Sequence, residues 1–177
     1  MANVNSPFGF VPIGHISGGA IPEAHPYPVT SGQTIYKGDP VIVTSGGSVS
    51  VAAAGSGVIL LGIAAEYFPD PVAVANSHTP TEMHVYDDPG ILYKVQVKTG
   101  VTTTQANSVF MTSNMIIYAA GNTVSLQSAM ALDTPGSSTH DFLILGLYPY
   151  PNNAWGDSTI VIAKFNNHVM TAPYAGI

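Results

Sequence analysis

Apolar residues in this chain fall into short runs punctuated by glycine and proline. From residue 34 the runs are Val41-Ile-Val-Thr44, Ser48-Val-Ser-Val51 and Val58-Ile-Leu-Leu61, with Gly46-Gly47 and Gly55-Ser-Gly57 between them. Short β-branched runs closed by turn residues predict strands rather than helices. Gly62-Ile-Ala-Ala-Glu-Tyr-Phe68 continues the third run past a bulge expected at Gly62. Met83-His-Val-Tyr86 alternates and runs into the turn Asp87-Asp-Pro-Gly90. Residues 91–98 alternate again, with Lys94, Gln96 and Lys98 on one face and Tyr93, Val95 and Val97 on the other, which predicts a half-buried strand. Residues 142–147 and 159–165 are two more apolar runs. They flank the loop Tyr148-Pro-Tyr-Pro-Asn-Asn-Ala-Trp-Gly-Asp157, whose prolines must interrupt any ladder.

The remaining stretches are less regular. Residues 99–140 are rich in Thr and Ser, with short strands expected at 109–111, 115–118 and 124–126 and a helical turn near 104–108. Residues 72–81 read as a loop and 173–177 as a short tail. Residues 1–30 hold Pro7, Pro12, Pro22, Pro26 and Pro28, each of which biases its predecessor away from helix. Regular strand is not expected there either, so the segment reads as an extended arm. Its apolar side chains, Phe8, Phe10, Val11, Ile13, Ile16 and Ile21, need a surface to lie on, either the chain's own body or a neighbour, and the neighbour is favoured. The pattern as a whole predicts a mainly β fold with little helix. It is a compact antiparallel barrel or sandwich at 31–177, preceded by a Pro/Gly-rich arm at 1–30. Leu60-Leu-Gly-Ile63 and Leu145-Gly-Leu147 echo each other, as a duplicated half-barrel would.

Composition sharpens this. Only 8% of the 177 residues are charged, against roughly 25% in an ordinary globular protein. Four lysines stand against ten acidic residues, with no arginine, while 46% of the chain is hydrophobic. Such a chain has little charge with which to keep its own surface in water, so much of that surface is expected to be covered by other chains. The alternative is a surface of Ser, Thr, Asn and Gly, as in many extracellular β proteins. The net charge of −6 and the lack of arginine argue against nucleic acid. The longest apolar run, at 58–65, is too short to span a bilayer, and no basic stretch with an apolar run opens the chain. Absence of cysteine excludes disulfides and thiolate chemistry.

Candidate chemistry is sparse. Phosphate-binding loops, HExxH and GxSxG patterns are missing. His78, Glu82, His84, Asp87 and Asp88 are the best metal candidates, since Glu82 and His84 share a strand face, but surface polar roles are simpler. His140 beside Asp141 offers half of an acid–base pair with no nucleophile to complete it. Asp87-Asp88-Pro89 reads as a turn whose carboxylates bind backbone donors, and Asn166-Asn-His168 as a strand end of similar kind. No cofactor and no catalytic residue is implied. What remains is contact: Tyr148, Tyr150 and Trp155 on a stiff loop suit a protein interface, although Trp155 could equally cover the end of a sheet.

Several motifs together resemble a family of tailed-bacteriophage head structural proteins, the capsid decoration or cement proteins. They are the opening Met-Ala-Asn, Ser6-Pro-Phe-Gly-Phe10-Val-Pro12 and His15-Ile-Ser-Gly18, then Gly38-Asp-Pro-Val41 with Leu61-Gly-Ile63. Asp87-Asp-Pro89 with Tyr93-Lys-Val-Gln96 follows, and then Ile144-Leu-Gly-Leu147, Asn152, Gly156 and Asn166-Asn-His168 with a Gly-Ile end. The resemblance implies a non-enzymatic homotrimer in the virion capsid, assembled in the host bacterial cytoplasm. It would bind the outer shell and clamp neighbouring major capsid subunits, without nucleic acid or membrane. Relatives usually carry arginines where this chain has Ile13-Gly14 and Pro149-Tyr150, which favours an apolar contact here. The expected capsid or subunit interface is Phe8, Phe10, Val11, Ile13, Ile16, Tyr148, Tyr150 and Trp155. Removing residues 2–20 is then expected to abolish the contact and leave the β body folded. A glycan- or receptor-binding β module, such as a head fibre or lectin-like domain, is the alternative, and a metal-dependent barrel enzyme the third possibility.

Overall fold

A computed structural model describes residues 3–54, 58–70, 81–98, 103–104, 109, 113–114, 116–117, 120–133 and 141–171. Within them lie twelve strands and no helix: β1 (Val11–His15), β2 (His25–Pro28), β3 (Pro40–Val43), β4 (Val49–Val51), β5 (Gly62–Ala64), β6 (Glu82–Tyr86), β7 (Ile91–Gln96), β8 (Ser113–Asn114), β9 (Ile116–Ile117), β10 (Ala131–Leu132), β11 (Phe142–Leu147) and β12 (Ile160–Phe165). Gly55-Ser-Gly57, residues 72–80, His78, residues 105–108, Phe110 and Met111, Met115, Tyr118, His140 and the tail at 173–177 lie outside the described residues.

The strands form two five-stranded antiparallel sheets, ordered β1-β7-β12-β11-β8 and β2-β6-β5-β3-β4, and a β10-β9 ribbon. Neither sheet closes on itself, so of the two expected architectures the barrel is excluded and a sandwich-like packing stands. Alternation explains the packing. Tyr93, Val95, Phe142, Ile144, Val161, Ala163 and Phe165 leave one face of the first sheet and meet Ile63, with Ile42, Val51 and Tyr86, from the second. The opposite face of the second sheet carries Val41, Val49, Ala64, Met83 and Val85, which are covered by Ile35 and Phe68. At β3 and β5 the second sheet is buried on both faces, which is why their sequences read as short apolar runs, whereas β6 alternates and leaves Glu82 and His84 exposed.

The two sheets are joined by a polar staple. Leu60 N–H donates to the Asn167 carbonyl, Val169 N–H to the Leu60 carbonyl, and Asn167 Nδ2 to the Val58 carbonyl at 3.0 Å. Asp141 Oδ1 accepts from Val58 N–H at 2.9 Å. His168 is buried beside them. Its Nε2 lies 2.7 Å from the Leu61 carbonyl, and its Nδ1 accepts from Met170 N–H at 3.1 Å. A carbonyl can only accept and a backbone amide only donate, so the ring is the neutral Nε2–H tautomer. Burial pushes its pKa below the ordinary histidine value. Asn167 and His168 thus take the backbone-satisfying role expected of Asn166-Asn-His168.

Residues 3–30 correct the expectation that the proline-rich segment holds no regular strand. β1 is the edge of the first sheet and β2 the edge of the second. Phe10, expected at an interface, is 1% exposed and lies in the core. It stacks on Phe142 at a centroid distance of 4.3 Å and meets Tyr93 edge-on. Two smaller expectations also change. The strand expected at 58–61 forms at β5, and Gly62 is no bulge. A β-carbon there would lie 2.3 Å from the Tyr86 carbonyl oxygen, so glycine is needed for close strand approach. The register shifts occur instead between Pro12 and Gly14 and between Ile144 and Gly146. Residues 124–126, expected as strand, form a turn in which Asn122 Oδ1 accepts from the Val124 and Ser125 amides and Val124 is 91% exposed.

Candidate binding groove

β7 pairs with β1 on one side and β12 on the other. Its outward residues, Lys94 and Gln96, form the floor of an open groove of about 670 Å³. One wall is the N-terminal segment, through Val4, Phe8 and Val11, and the other is the loop after β11, through Tyr148, Tyr150 and Asn152. Both walls are fixed by hydrogen bonds. Gln96, although on the outward face, is buried because residues 4–6 lie over it. Its Nε2 donates to the Val4 carbonyl at 2.7 Å and to the Ser158 carbonyl at 3.1 Å, and its Oε1 accepts from Ser6 N–H at 3.0 Å. Asn3 Nδ2 donates to the Ala154 and Asp157 carbonyls, both at 2.8 Å.

The aromatic loop closes on itself. Asn153 Nδ2 donates to the Tyr148 and Ile160 carbonyls, and its Oδ1 accepts from Ile160 N–H. Tyr148 and Tyr150 lie nearly parallel with ring centroids 6.5 Å apart. Lys94 is held between two rings, its Nζ 5.7 Å from the Phe8 centroid and 5.5 Å from the Tyr148 centroid. A cation over two ring faces gains from both quadrupoles. Among the described residues no carboxylate lines the groove and no ion pair involves Lys94.

Four of the eight expected interface residues, Phe8, Val11, Tyr148 and Tyr150, thus meet at one groove, and the other four do not. Phe10 is in the core. Ile13 is half-buried at the irregularity in β1. Ile16 is exposed at the far end of that strand. Trp155 is half-buried and packs against the larger core, the sheet-covering role weighed for it from the sequence. Lys94, Gln96 and Asn153 were missed as site residues. The polar face of the predicted strand at 91–98 contains the first two, but nothing in a linear sequence shows that Phe8 and Tyr148 close over them.

Of the metal candidates, the four described ones, Glu82, His84, Asp87 and Asp88, do not converge. His84 pairs with Glu66 at 2.8 Å, and Asp87 receives His25 Nδ1 at 2.9 Å and the Tyr27 hydroxyl at 2.6 Å. Asp88 pairs with His15 at 3.3 Å. Among the described residues no three His, Asp or Glu side chains gather as a metal ion would need. The Asp87 contacts have clear electrostatic effects. Hydrogen bonding to Asp87, and then its charge, raise the His25 pKa. Burial and the Asp87 bond push Tyr27 up to about 12. Burial alone would raise Glu66, but the His84 amide, ring and charge together outweigh it and lower its pKa.

No family model matches the chain, and no curated protein and no solved structure matches it either. Among the described residues no helix is long and apolar enough to cross a membrane.

Proposed function

We propose that this chain is a non-enzymatic virion structural protein, a capsid decoration or cement protein. In this reading it binds the outer shell as a homotrimer and clamps neighbouring major capsid subunits. The observation that carries the reading is the groove. Phe8, Val11, Tyr148 and Tyr150, expected from the sequence as contact residues, come together on a stiff, open surface that no described carboxylate lines. Aromatic side chains held by backbone hydrogen bonds present large area with little entropy left to lose, which suits a protein contact. The low charge of the chain and its resemblance to the decoration family point the same way. Many copies on a shell add avidity to a contact that is weak singly.

Removing residues 2–20 does not test this cleanly, because it takes Phe10 out of the core and β1 off the first sheet. The test is co-sedimentation of the full chain with expanded capsids that lack it, comparing wild type with Tyr150→Ala. Tyr150 is 60% exposed, so the variant keeps its fold. Saturable wild-type binding weakened by the substitution supports the proposal, and wild-type protein left in the supernatant overturns it.

One observation favours a second reading. Tyr150, Asn152 and Gln127 give the groove a ring face beside amide groups, the chemistry of a sugar platform. Binding on a glycan array, lost in Tyr150→Ala, with no capsid binding, would establish that reading instead.

A further inference from the structure

Among the described residues the groove holds one cation and no carboxylate, on a chain that has ten acidic residues and four lysines. Lys94 is the only charged group among the described residues that line it. The occupant with complementary charge is therefore an acidic one, and its apolar walls ask for apolar side chains beside the acid. One described segment of this chain has that composition. Residues 16–24, Ile-Ser-Gly-Gly-Ala-Ile-Pro-Glu-Ala, connect β1 to β2. Ile16, Ile21 and Glu23 are all exposed there. Two of the large apolar side chains that this protein leaves in water thus precede an exposed carboxylate, whose charge also acts on His25.

The connection is anchored at both ends. Ile16 N–H donates to the Gly90 carbonyl, Gly18 N–H to the His15 carbonyl, and His15 Nδ1 lies 2.7 Å from the Ser17 hydroxyl. At the other end β2 pairs with β6. Pro22 restricts the backbone just before Glu23. A segment held at both ends loses less freedom on docking.

Groove and connection sit at opposite ends of the same edge strand. Val11 lies opposite Lys94 and His15 opposite Ile91. Four residues of strand separate them by about 13 Å, at roughly 3.3 Å per residue. A chain cannot fold that anchored connection back into its own groove. A second copy can offer it, and the contact is then head-to-tail. Such contacts close into rings when the rotation between copies allows it.

Building on the homotrimer of the proposed function, we propose that residues 16–24 of one copy dock in the groove of the next, with Glu23 paired to Lys94 and Ile16 and Ile21 against Phe8 and Tyr150. The repeated contact closes the trimer. The protein contact that the groove offers is then the one between copies that builds the shell-binding ring, so Tyr150→Ala weakens shell binding by weakening the ring.

Charge exchange tests this in the full chain. Native mass is measured by light scattering across a concentration series for wild type, Lys94→Glu, Glu23→Lys and the double variant, with Lys98→Glu as an exposed control. Far-UV circular dichroism confirms the fold of each. Each single variant is expected to weaken association at least about tenfold, since like charges then meet, and the double variant to recover most of the loss. Singles that associate like wild type, or a double as weak as the singles, overturn the inference. If Lys94→Glu fails to fold, the pair Ile21→Cys and Tyr150→Cys replaces it, because the native chain has no cysteine. Disulfide-linked oligomers up to a trimer on a non-reducing gel support the contact, and unlinked chains overturn it. A wild-type protein that stays monomeric removes both the contact and the homotrimer. A trimer that obeys the charge exchange yet does not sediment with capsids removes only the shell reading.

Discussion

Phe10 and Tyr150 are both aromatics in proline-rich surroundings, and nothing local in the sequence separates them. The structure gives them opposite roles. Phe10 lies between Phe142 and Tyr93 in the core, while Tyr150 stands in water beside the groove. Phe10→Ala should therefore lower the unfolding free energy of the isolated protein by about 3–5 kcal/mol, the usual cost of removing a buried phenyl ring. Urea denaturation checks it, and an unchanged midpoint would place Phe10 outside the core. Gly62 and Gly146 form a second such pair, matched in the echo between Leu60-Leu-Gly-Ile63 and Leu145-Gly-Leu147. A β-carbon at Gly62 meets the Tyr86 carbonyl and the Val85 side chain, whereas one at Gly146 meets nothing within 4 Å. Gly62→Ala should cost about 1–3 kcal/mol through forced strand separation, and Gly146→Ala within about 0.5 kcal/mol either way. Equal costs at the two sites would mean that the strands around Gly62 part without penalty. The echo is thus a likeness of sequence between a close strand approach and an open irregularity.

At the scale of elements, legibility followed the pattern of apolar side chains. β7 was visible from the alternation of Tyr93 and Val95 with Lys94 and Gln96, and β11 and β12 from apolar runs too short for a helix. β1 and β2 were not, because Pro12, Pro26 and Pro28 argue against a ladder. The structure resolves the conflict by placing both strands at sheet edges, where a missing N–H leaves no partner unsatisfied. Edge position is a property of the topology and cannot be read locally. The turn at 122–127 was misread for the opposite reason. Val124 and Leu126 look like strand residues, yet Asn122, with Gly121 before it, was a turn signal that the apolar pair masked.

Two histidines tie these elements together, with opposite dependence on pH. His25 holds β2 to Asp87 and has a raised pKa, so its contribution is complete below the ordinary histidine value near 6.5 and fades as pH rises through its higher folded value. His168 staples the sheets as a neutral ring with a lowered pKa. Its contribution is complete above about 6.5 and is lost as pH falls through the lower folded value. Thermal unfolding from pH 5 to 9 should therefore show His25→Gln flattening the alkaline decline. His168→Leu should flatten the acid decline while costing about 1–3 kcal/mol at neutral pH for the orphaned Leu61 carbonyl. Acid slopes that are unchanged in His168→Leu would show that the ring is not the group titrating.

At the scale of the whole molecule, electrostatics and apolar surface compete. Every copy carries a net −6, so bringing copies together sets like charges against one another over distances that low salt leaves unscreened. The screening length is roughly 30 Å at 0.01 M salt and 10 Å at 0.1 M. The opposing attraction is local: one Lys94 to carboxylate pair per contact, at partly covered groups that salt screens much less, together with apolar area that salt hardly weakens. Raising salt from about 0.02 to 0.3 M should then remove more repulsion than attraction and tighten the trimer. Light scattering at fixed low protein concentration across that series checks it, with the fraction of trimer rising. A trimer that instead dissociates with salt would mean that ion pairs dominate the contact. The near-absence of charge on the groove would then be incidental to assembly, and the carboxylates elsewhere on the surface would have to supply the partners.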